Sequence, residues 1–330
     1  MAEAILRNIY RIKVRLPNSP LKLLNSYYIR NPGGRGLLID TGFNHPDCRA
    51  CLLAGLEELD VNMAETDVLL THLHSDHTGL APEIAVPGTR VYIGRGEIPW
   101  LYGQTRIDLW AADAAGLLRQ GFSAEAVAES VQDAASRSMS PDIGFSAYLP
   151  IDAGDSFVCG DYTLEAVETP GHTPAHMCFR IESEKLMFTG DHVLFDITPN
   201  ITNWVNADDS LGDYLDSLRK TARYDVKIAL PGHREPGDYR ARIKALLAHH
   251  EQRLAECFSI VKENPGFSAY DIAGKMTWSI RCNSWEDFPI NQKWFAVGEC
   301  QSHLRRLEKQ GRIIASDDRV IRYRVKERRG

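Results

Sequence analysis

Hydrophobic and polar positions alternate from Ile9 to about Asp40, in IYRIKVRL, NSYYIR and GLLID, and the segments PNSP and NPGG interrupt the runs. Period-two alternation bounded by turn formers predicts strands, here an antiparallel start to a sheet. Pro46 to Leu59 has a helical pattern, and DVLLTH (67–72) is a short apolar run that ends abruptly in polar residues. Such a run predicts a buried strand that delivers side chains at its carboxyl end. After a strand at TRVYIG (89–94), helical periodicity dominates to about Phe145, in IPWLYGQTRIDLWAADAAGLLRQ and SAEAVAESVQDAAS. We read residues 95–146 as a helical insertion. Strands resume at DSFVCG, YTLEAVET, MCFRIES and KLMFTG, followed by a helix near Ser210–Arg223 and a last strand, VKIALPGH. Two runs of strands with helices between them predict an α/β fold of two sheets covered by helices.

From about Tyr239 the pattern changes to a long helix, RARIKALLAHHEQRLAECFSIVKE, which ends before Asn264, Pro265 and Gly266. Two more helices follow at SAYDIAGKM and FAVGECQSHLRRLEKQG, and RIIASDDRVIRYRV reads as a hairpin turning at Asp317–Asp318. Helix, helix, helix, hairpin is the order of a winged helix. The expected division is therefore a catalytic domain over residues 1–238 and a winged-helix-like domain over residues 239–330.

Composition narrows the function classes. The 330 residues are 44% hydrophobic and 25% charged, ordinary for a folded globular chain. Lys plus Arg total 38 against 44 for Asp plus Glu, a net charge of -6 that gives no global attraction to nucleic acid or anionic membrane. The start, MAEAILRNIYRIKV, lacks a basic segment followed by an apolar run, and no stretch of about 18 apolar residues occurs, so a cytoplasmic location without membrane attachment is expected. Seven scattered cysteines do not form a disulfide framework. Cys48 and Cys51 form a CxxC without a second pair, and read as two small residues on a helix.

The candidate chemistry is concentrated in THLHSDHTG (71–79). His72 and His74 are two apart and project to one side if the backbone is extended, so one metal ion can take both. Asp76 and His77 follow at once and can serve a second ion. Three later strand ends share a glycine followed by a ligand-type side chain: TPGHT, FTGDH and LPGHR, which supply His172, Asp191 and His233. Imidazole and carboxylate ligands suit zinc, manganese or iron.

His72-Leu-His74-Ser-Asp76-His77 resembles the HxHxDH signature of the metallo-β-lactamase superfamily. The resemblance runs from about Ile9 to Pro236, since LIDTG (38–42), GHTPAH (171–176), GD (190–191) and PGH (231–233) follow in the order expected of that family. It implies an αββα sandwich with two divalent metals, zinc first, between the edges of two sheets. It also implies that His72, His74 and His172 hold one metal, that Asp76, His77 and His233 hold the other, and that Asp191 bridges them. Asp40 would stand behind a ligand histidine and orient it. His45, His176, His192 and His303 are left as non-ligands. The aspartate bridge, the third late histidine and DHVLFDITPNI (191–201) resemble the glyoxalase II-like branch rather than the true β-lactamases.

Two adjacent divalent ions generate hydroxide at neutral pH and polarise a carbonyl or phosphoryl oxygen, so no serine or cysteine nucleophile is needed. The two GFSAY segments (144–148 and 266–270) lack the spacing of a nucleophile elbow, and the second reads as a helix cap. The expected reaction is cleavage of a thioester or ester of a small acyl substrate, with Asp76 holding the hydroxide and relaying a proton. The alternative is a nuclease that binds RNA through the C-terminal domain, whose end, RVIRYRVKERRG, is locally basic. Trp100, Leu101, Tyr102 and Trp110 of the insertion are apolar enough to roof a cleft or to pair two copies in a homodimer, and equally suited to simple packing.

Overall fold

Alternation from Ile9 to Asp40 becomes three strands of a seven-stranded sheet in the computed structural model, which describes residues 2–132, 138–279, 282 and 284–327. The sheet also takes in two strands not expected, at Ala2–Leu6 and Tyr148–Ile151. Residues 133–136 of the predicted helix in the insertion and the last three residues of the basic C-terminus lie outside the described residues. The chain divides into two compact units. The first holds the described residues of 1–106, 135–199 and 217–243; the second holds those of 107–134, 200–216 and 244–330.

In the first unit, β1 (Ala2–Leu6), β2 (Ile9–Arg15), β3 (Leu23–Ile29), β4 (Gly36–Ile39), β5 (Thr66–Leu70), β6 (Val91–Gly94) and β7 (Tyr148–Ile151) lie in chain order across the sheet. Pairing is antiparallel through β4 and parallel from β4 to β7. The change of sense follows from the connections. A parallel neighbour needs a crossover, and α1 (Pro46–Glu58) supplies it between β4 and β5. His45 caps α1 by accepting from Asp47 N, and Cys48 and Cys51 sit on it as free thiols. Two single-turn helices, α2 (Ser75–Thr78) and α3 (Ala81–Ile84), follow β5. The second sheet has five strands in the order β12-β11-β10-β9-β8: β8 (Ser156–Cys159), β9 (Tyr162–Glu168), β10 (Met177–Ile181), β11 (Leu186–Gly190) and β12 (Ile228–Pro231). Its members are antiparallel except β12, which joins β11 in parallel.

The pleat sorts side chains into two cores. Along β5, Val68 and Leu70 face the helix-covered side with α1, whereas Leu69 faces the second sheet. On β4, Leu38 takes the first side and Leu37 and Ile39 the second. Ile9, Tyr27 and Leu69 thereby meet Leu164, Phe179 and Phe188, with the Tyr27 and Phe188 rings edge to face at 5.2 Å. Of the aromatic-rich turn after β6, Leu101 is buried in the helix-side core and Tyr102 packs against it, so these two serve packing.

The second unit contains described residues of α4 (Gly103–Arg119), α5 (Ala124–Gln132), α6 (Ser210–Thr221) and α7 (Tyr239–Glu263), then α8 (Ala269–Ala273), α9 (Ile290–Lys309) and an antiparallel pair, β13 (Ile313–Ala315) and β14 (Tyr323–Val325). Insertion and C-terminal residues meet here: Tyr270 N donates to Gln120 O and Ile321 N to Arg119 O. Ser268 of the second GFSAY caps α8 in a reciprocal capping box with Asp271. Helix α9 begins at Ile290, five residues before the apolar periodicity of the sequence, with Pro289 at its N-cap. His250 pairs with His303 of α9 at 3.2 Å rather than with its chain neighbour His249.

Phe188 is 1% exposed between the sheets. Phe188→Ala should cost about 3–5 kcal/mol in urea unfolding, whereas Val158→Asp, at a position 73% exposed, should change stability by less than about 0.5 kcal/mol. A pH effect follows from His303, whose Nδ1 donates to Glu299 O and whose pKa burial pushes down to about 3. The unfolded chain then binds the extra proton below its ordinary value near 6.5. The stability contributed is full above that value and lost as pH falls toward 3, at up to about 1.4 kcal/mol per pH unit. Urea unfolding at pH 7 and pH 5 should show this loss, and His303→Gln should reduce the slope.

Candidate metal centre

All seven predicted donors come together in the first unit, at the carboxyl ends of β5, β11 and β12 and in the turn between β9 and β10. Carboxyl strand ends are where open α/β sheets present ligands, since the strands stop there and the loops diverge. The cluster is buried: His72, His77 and His233 are inaccessible, and Asp76, His172 and Asp191 nearly so. Three overlapping sets have all donor atoms within 4.8 Å of one another: His72, His74 and His172; His72, His77 and Asp191; and Asp76, His77 and His233.

Ring nitrogens converge in a way that hydrogen bonding alone does not explain. His74 Nδ1 lies 3.0 Å from His72 Nε2 and 3.1 Å from His172 Nε2, and His77 Nε2 lies 3.2 Å from His233 Nε2. Asp191 presents one oxygen to each side. Its Oδ1 is 3.6 Å from both His77 Nε2 and His233 Nε2, and its Oδ2 is 3.6 Å from His172 Nε2. Oδ1 is buried without a hydrogen-bond partner, a costly arrangement unless a cation satisfies it. The donor set therefore fits divalent metal ions.

Charge distribution agrees. Burial and neighbouring imidazoles push His72 well below the ordinary histidine value and His74 down to about 3, so both offer lone pairs. Against the same burial, Asp40, Asp191 and Asp76 push His77 up to about 10, and Asp191 and Asp76 raise His233. The carboxylate-rich side demands positive charge, which a metal supplies while releasing the protons.

Outer contacts set each ring. Asp40, held at φ 59°, accepts from Thr71 N, from Thr71 Oγ1 and from His77 Nδ1, each at 2.8 Å, which leaves His77 Nε2 directed at the cluster. His233 Nδ1 donates to Leu23 O at 2.8 Å, with the same result. The segment carrying His233 is tied to β3: Asn25 donates its backbone N–H to Gly232 O and its amide to Pro231 O and Arg234 O, and Tyr27 Oη donates to Pro231 O. Gly232 is required because a Cβ there would lie 2.8 Å from both Asp191 Oδ1 and His77 Cε1. His176 stacks on His72 but uses both nitrogens elsewhere, at Thr169 Oγ1 and at the backbone N–H of Asp191. His192 is engaged with Thr221.

His176 was expected as a non-ligand, whereas Thr71, Asn25 and Glu97 were given no role by the motifs. Asn25 left a trace as a polar residue in the apolar strand LLNSYYI.

Residues 22–233 match the family model described as the Metallo-beta-lactamase superfamily. The chain belongs to that superfamily. Similar solved structures include a metallo-beta-lactamase family protein from Thermus thermophilus, 26% identical, covering 98% of this chain and 100% of that one with a TM-score of 0.80. A beta-lactamase domain protein from Burkholderia ambifaria is 26% identical, with 98% and 93% covered and a TM-score of 0.82. Among curated relatives, the atrochrysone carboxyl ACP thioesterase of Emericella nidulans is 30% identical over 221 residues, 67% of this chain and 54% of that protein. A lactamase-like protein of Aspergillus fumigatus is 29% identical over 241 residues, 72% of this chain and 56% of that one. The chain thus spans little more than half the length of these two curated relatives.

Asp40→Asn keeps the size of this buried side chain but weakens its grip on His77 Nδ1. Zinc affinity measured by calorimetry should fall by about 10–100-fold, with the urea midpoint changed far less.

Proposed function

We propose that this chain is a binuclear metal-dependent hydrolase of the glyoxalase II-like branch, acting on the thioester or ester of a small acyl group. The observation that carries the reading is Asp191, with one carboxylate oxygen turned toward each of two donor sets. In this assignment His72, His74 and His172 hold one divalent ion, Asp76, His77 and His233 the other, and Asp191 both, with zinc the favoured metal.

Two such ions supply Lewis acidity and a water of lowered pKa. The chain's own residues do the rest. Asp40 and Leu23 O hold the His77 and His233 rings in the tautomers that present Nε2. Asp76, whose Oδ2 lies 3.2 Å from His233 Nε2, is kept ionised by His77 and His233 against its burial, and is the carboxylate placed to hold the attacking water and take its proton. Hydrolysis forms one C–O bond and breaks the C–S or C–O bond to the leaving group, which receives that proton.

The substrate class draws support from a relative named for thioester cleavage on an acyl carrier protein. Composition of the second unit weighs the same way. Bases of α9, the long helix before the β13–β14 pair, are engaged: Arg305 and Lys309 pair with Asp208, and Arg306 with Asp209. A phosphate backbone would have to compete with these carboxylates. We assign residues 239–330 as a winged-helix-like domain without a nucleic-acid role. Among the described residues, no helix is long and apolar enough to cross a membrane.

Purified protein loaded with zinc or manganese should turn over acyl thioesters, aryl esters or lactones. His72→Ala should lower that rate by about 100-fold or more, the scale of losing one charge-stabilising group. Cleavage of single-stranded RNA with no thioester or ester turnover would overturn the reading.

A further inference from the structure

The loops that carry the first donor set come from different sheets. His72 and His74 follow β5 of the seven-stranded sheet, and His172 lies between β9 and β10 of the five-stranded one. Their ring nitrogens nevertheless meet at 3.1 Å. Apolar sheet packing is not directional, and a backbone bond from Met177 N to Thr71 O at 2.8 Å ties the strands at the base of these loops but not their tips. One carboxylate spans the gap. Glu97, in the 3-10 turn Arg95–Trp100 after β6, is fully buried, its Oε2 accepting from Leu73 N at 2.8 Å and its Oε1 from Ala175 N at 2.5 Å. Leu73 stands between His72 and His74, and Ala175 three residues after His172.

The local sequence is shaped for this contact. A Cβ at Gly94 would lie 2.2 Å from Ala175 O, and one at Gly96 would lie 2.9 Å from Ala175 Cβ. Only glycines let the turn press this closely on the 171–176 loop. No arginine, lysine or histidine is hydrogen-bonded or ion-paired with Glu97 among the described contacts, so the carboxylate has no ion-pair partner to explain its burial. Its hydrogen-bond partners include two backbone amides, one on each histidine loop, and burial pushes its pKa up to about 7.

We propose that Glu97 is a positioning residue that sets the separation of His72 and His74 from His172, and so tunes the affinity of that metal set. The inference rests on the metal assignment above. Glu97 is not in any of the three donor groups.

The geometry makes the isosteric variant informative. A glutamine offers one carbonyl oxygen, and its NH2 group would face a backbone N–H, so one loop is released and a donor confronts a donor. Cobalt(II) titrated into metal-free wild-type and Glu97→Gln full-length protein, followed by visible absorption, separates the two sets. Wild type should take two equivalents. In Glu97→Gln one equivalent should weaken by about 10–100-fold, the usual cost of disturbing an outer contact of a metal site, and the other should be unchanged. A merely structural role would lower the unfolding midpoint and leave both affinities alone, or weaken both together, and either result overturns the proposal. If the variant does not fold, amide hydrogen exchange in the wild type decides. Leu73 and Ala175 amides should exchange as slowly as those of β5, and exchange at the rate of exposed loops would refute the clamp. Absence of cobalt binding by wild type would instead defeat the metal assignment itself.

Discussion

Five histidines and two aspartates can share a few ångströms only because two sheets are stitched at one end. Apolar packing between them, centred on Leu69, Tyr27 and Phe188, supplies most of the free energy but no direction. Direction comes from hydrogen bonds that cross from one sheet to the other: Asn25 N to Gly232 O at 2.7 Å and Met177 N to Thr71 O at 2.8 Å. They place the end of β5 beside β10 and the start of β3 beside the segment after β12. Everything at the cluster depends on that registration, since a displacement of about 1 Å is larger than the tolerance of a metal–ligand distance.

Within that frame the site divides electrostatically. His72 and His74 lie where burial and like neighbours favour neutral rings, whereas His77 and His233 lie among carboxylates that favour protonated ones. Asp191 faces both. The arrangement gives one region rich in neutral nitrogen donors and another rich in negative charge, joined by a carboxylate. Polar backbone and carboxylate contacts then lock individual rings, through Asp40 on His77 and Leu23 O on His233.

The second unit follows a different logic. Its polar interior is organised by Arg253, which donates to Thr277 O, Glu256 and Glu299, and by the His250–His303 pair on α7 and α9. Its outward bases on α9 are engaged with Asp208 and Asp209. These pairs reduce the positive field that an isolated count of Arg and Lys on that helix would suggest.

Much of this was legible in the chain itself. Most strands of both sheets follow from alternation or from short apolar runs, because successive side chains of a pleated strand point to opposite faces and each face turned to a core needs apolar residues. Strands β1 and β7 fall outside the runs that read as strands. The seven donors follow from residue type and place: imidazoles and carboxylates crowded at strand ends, beside glycines, have few packing explanations. Local turn chemistry was equally readable, as at Ser268. What the linear pattern could not contain is the partner of each polar group. Asn25 and Pro231 are 206 positions apart, and Glu97 and Ala175 are 78. Glu97 in particular looked like any acid in a helical stretch. A carboxylate's meaning depends on whether it is hydrated or enclosed, and enclosure exists only once both sheets have closed around it. Sequence by itself determined most of the elements and which residues are of metal-binding type; the tertiary structure alone decided which buried polar atoms face one another, because hydrogen bonds act over about 3 Å and chain separation says nothing about that distance.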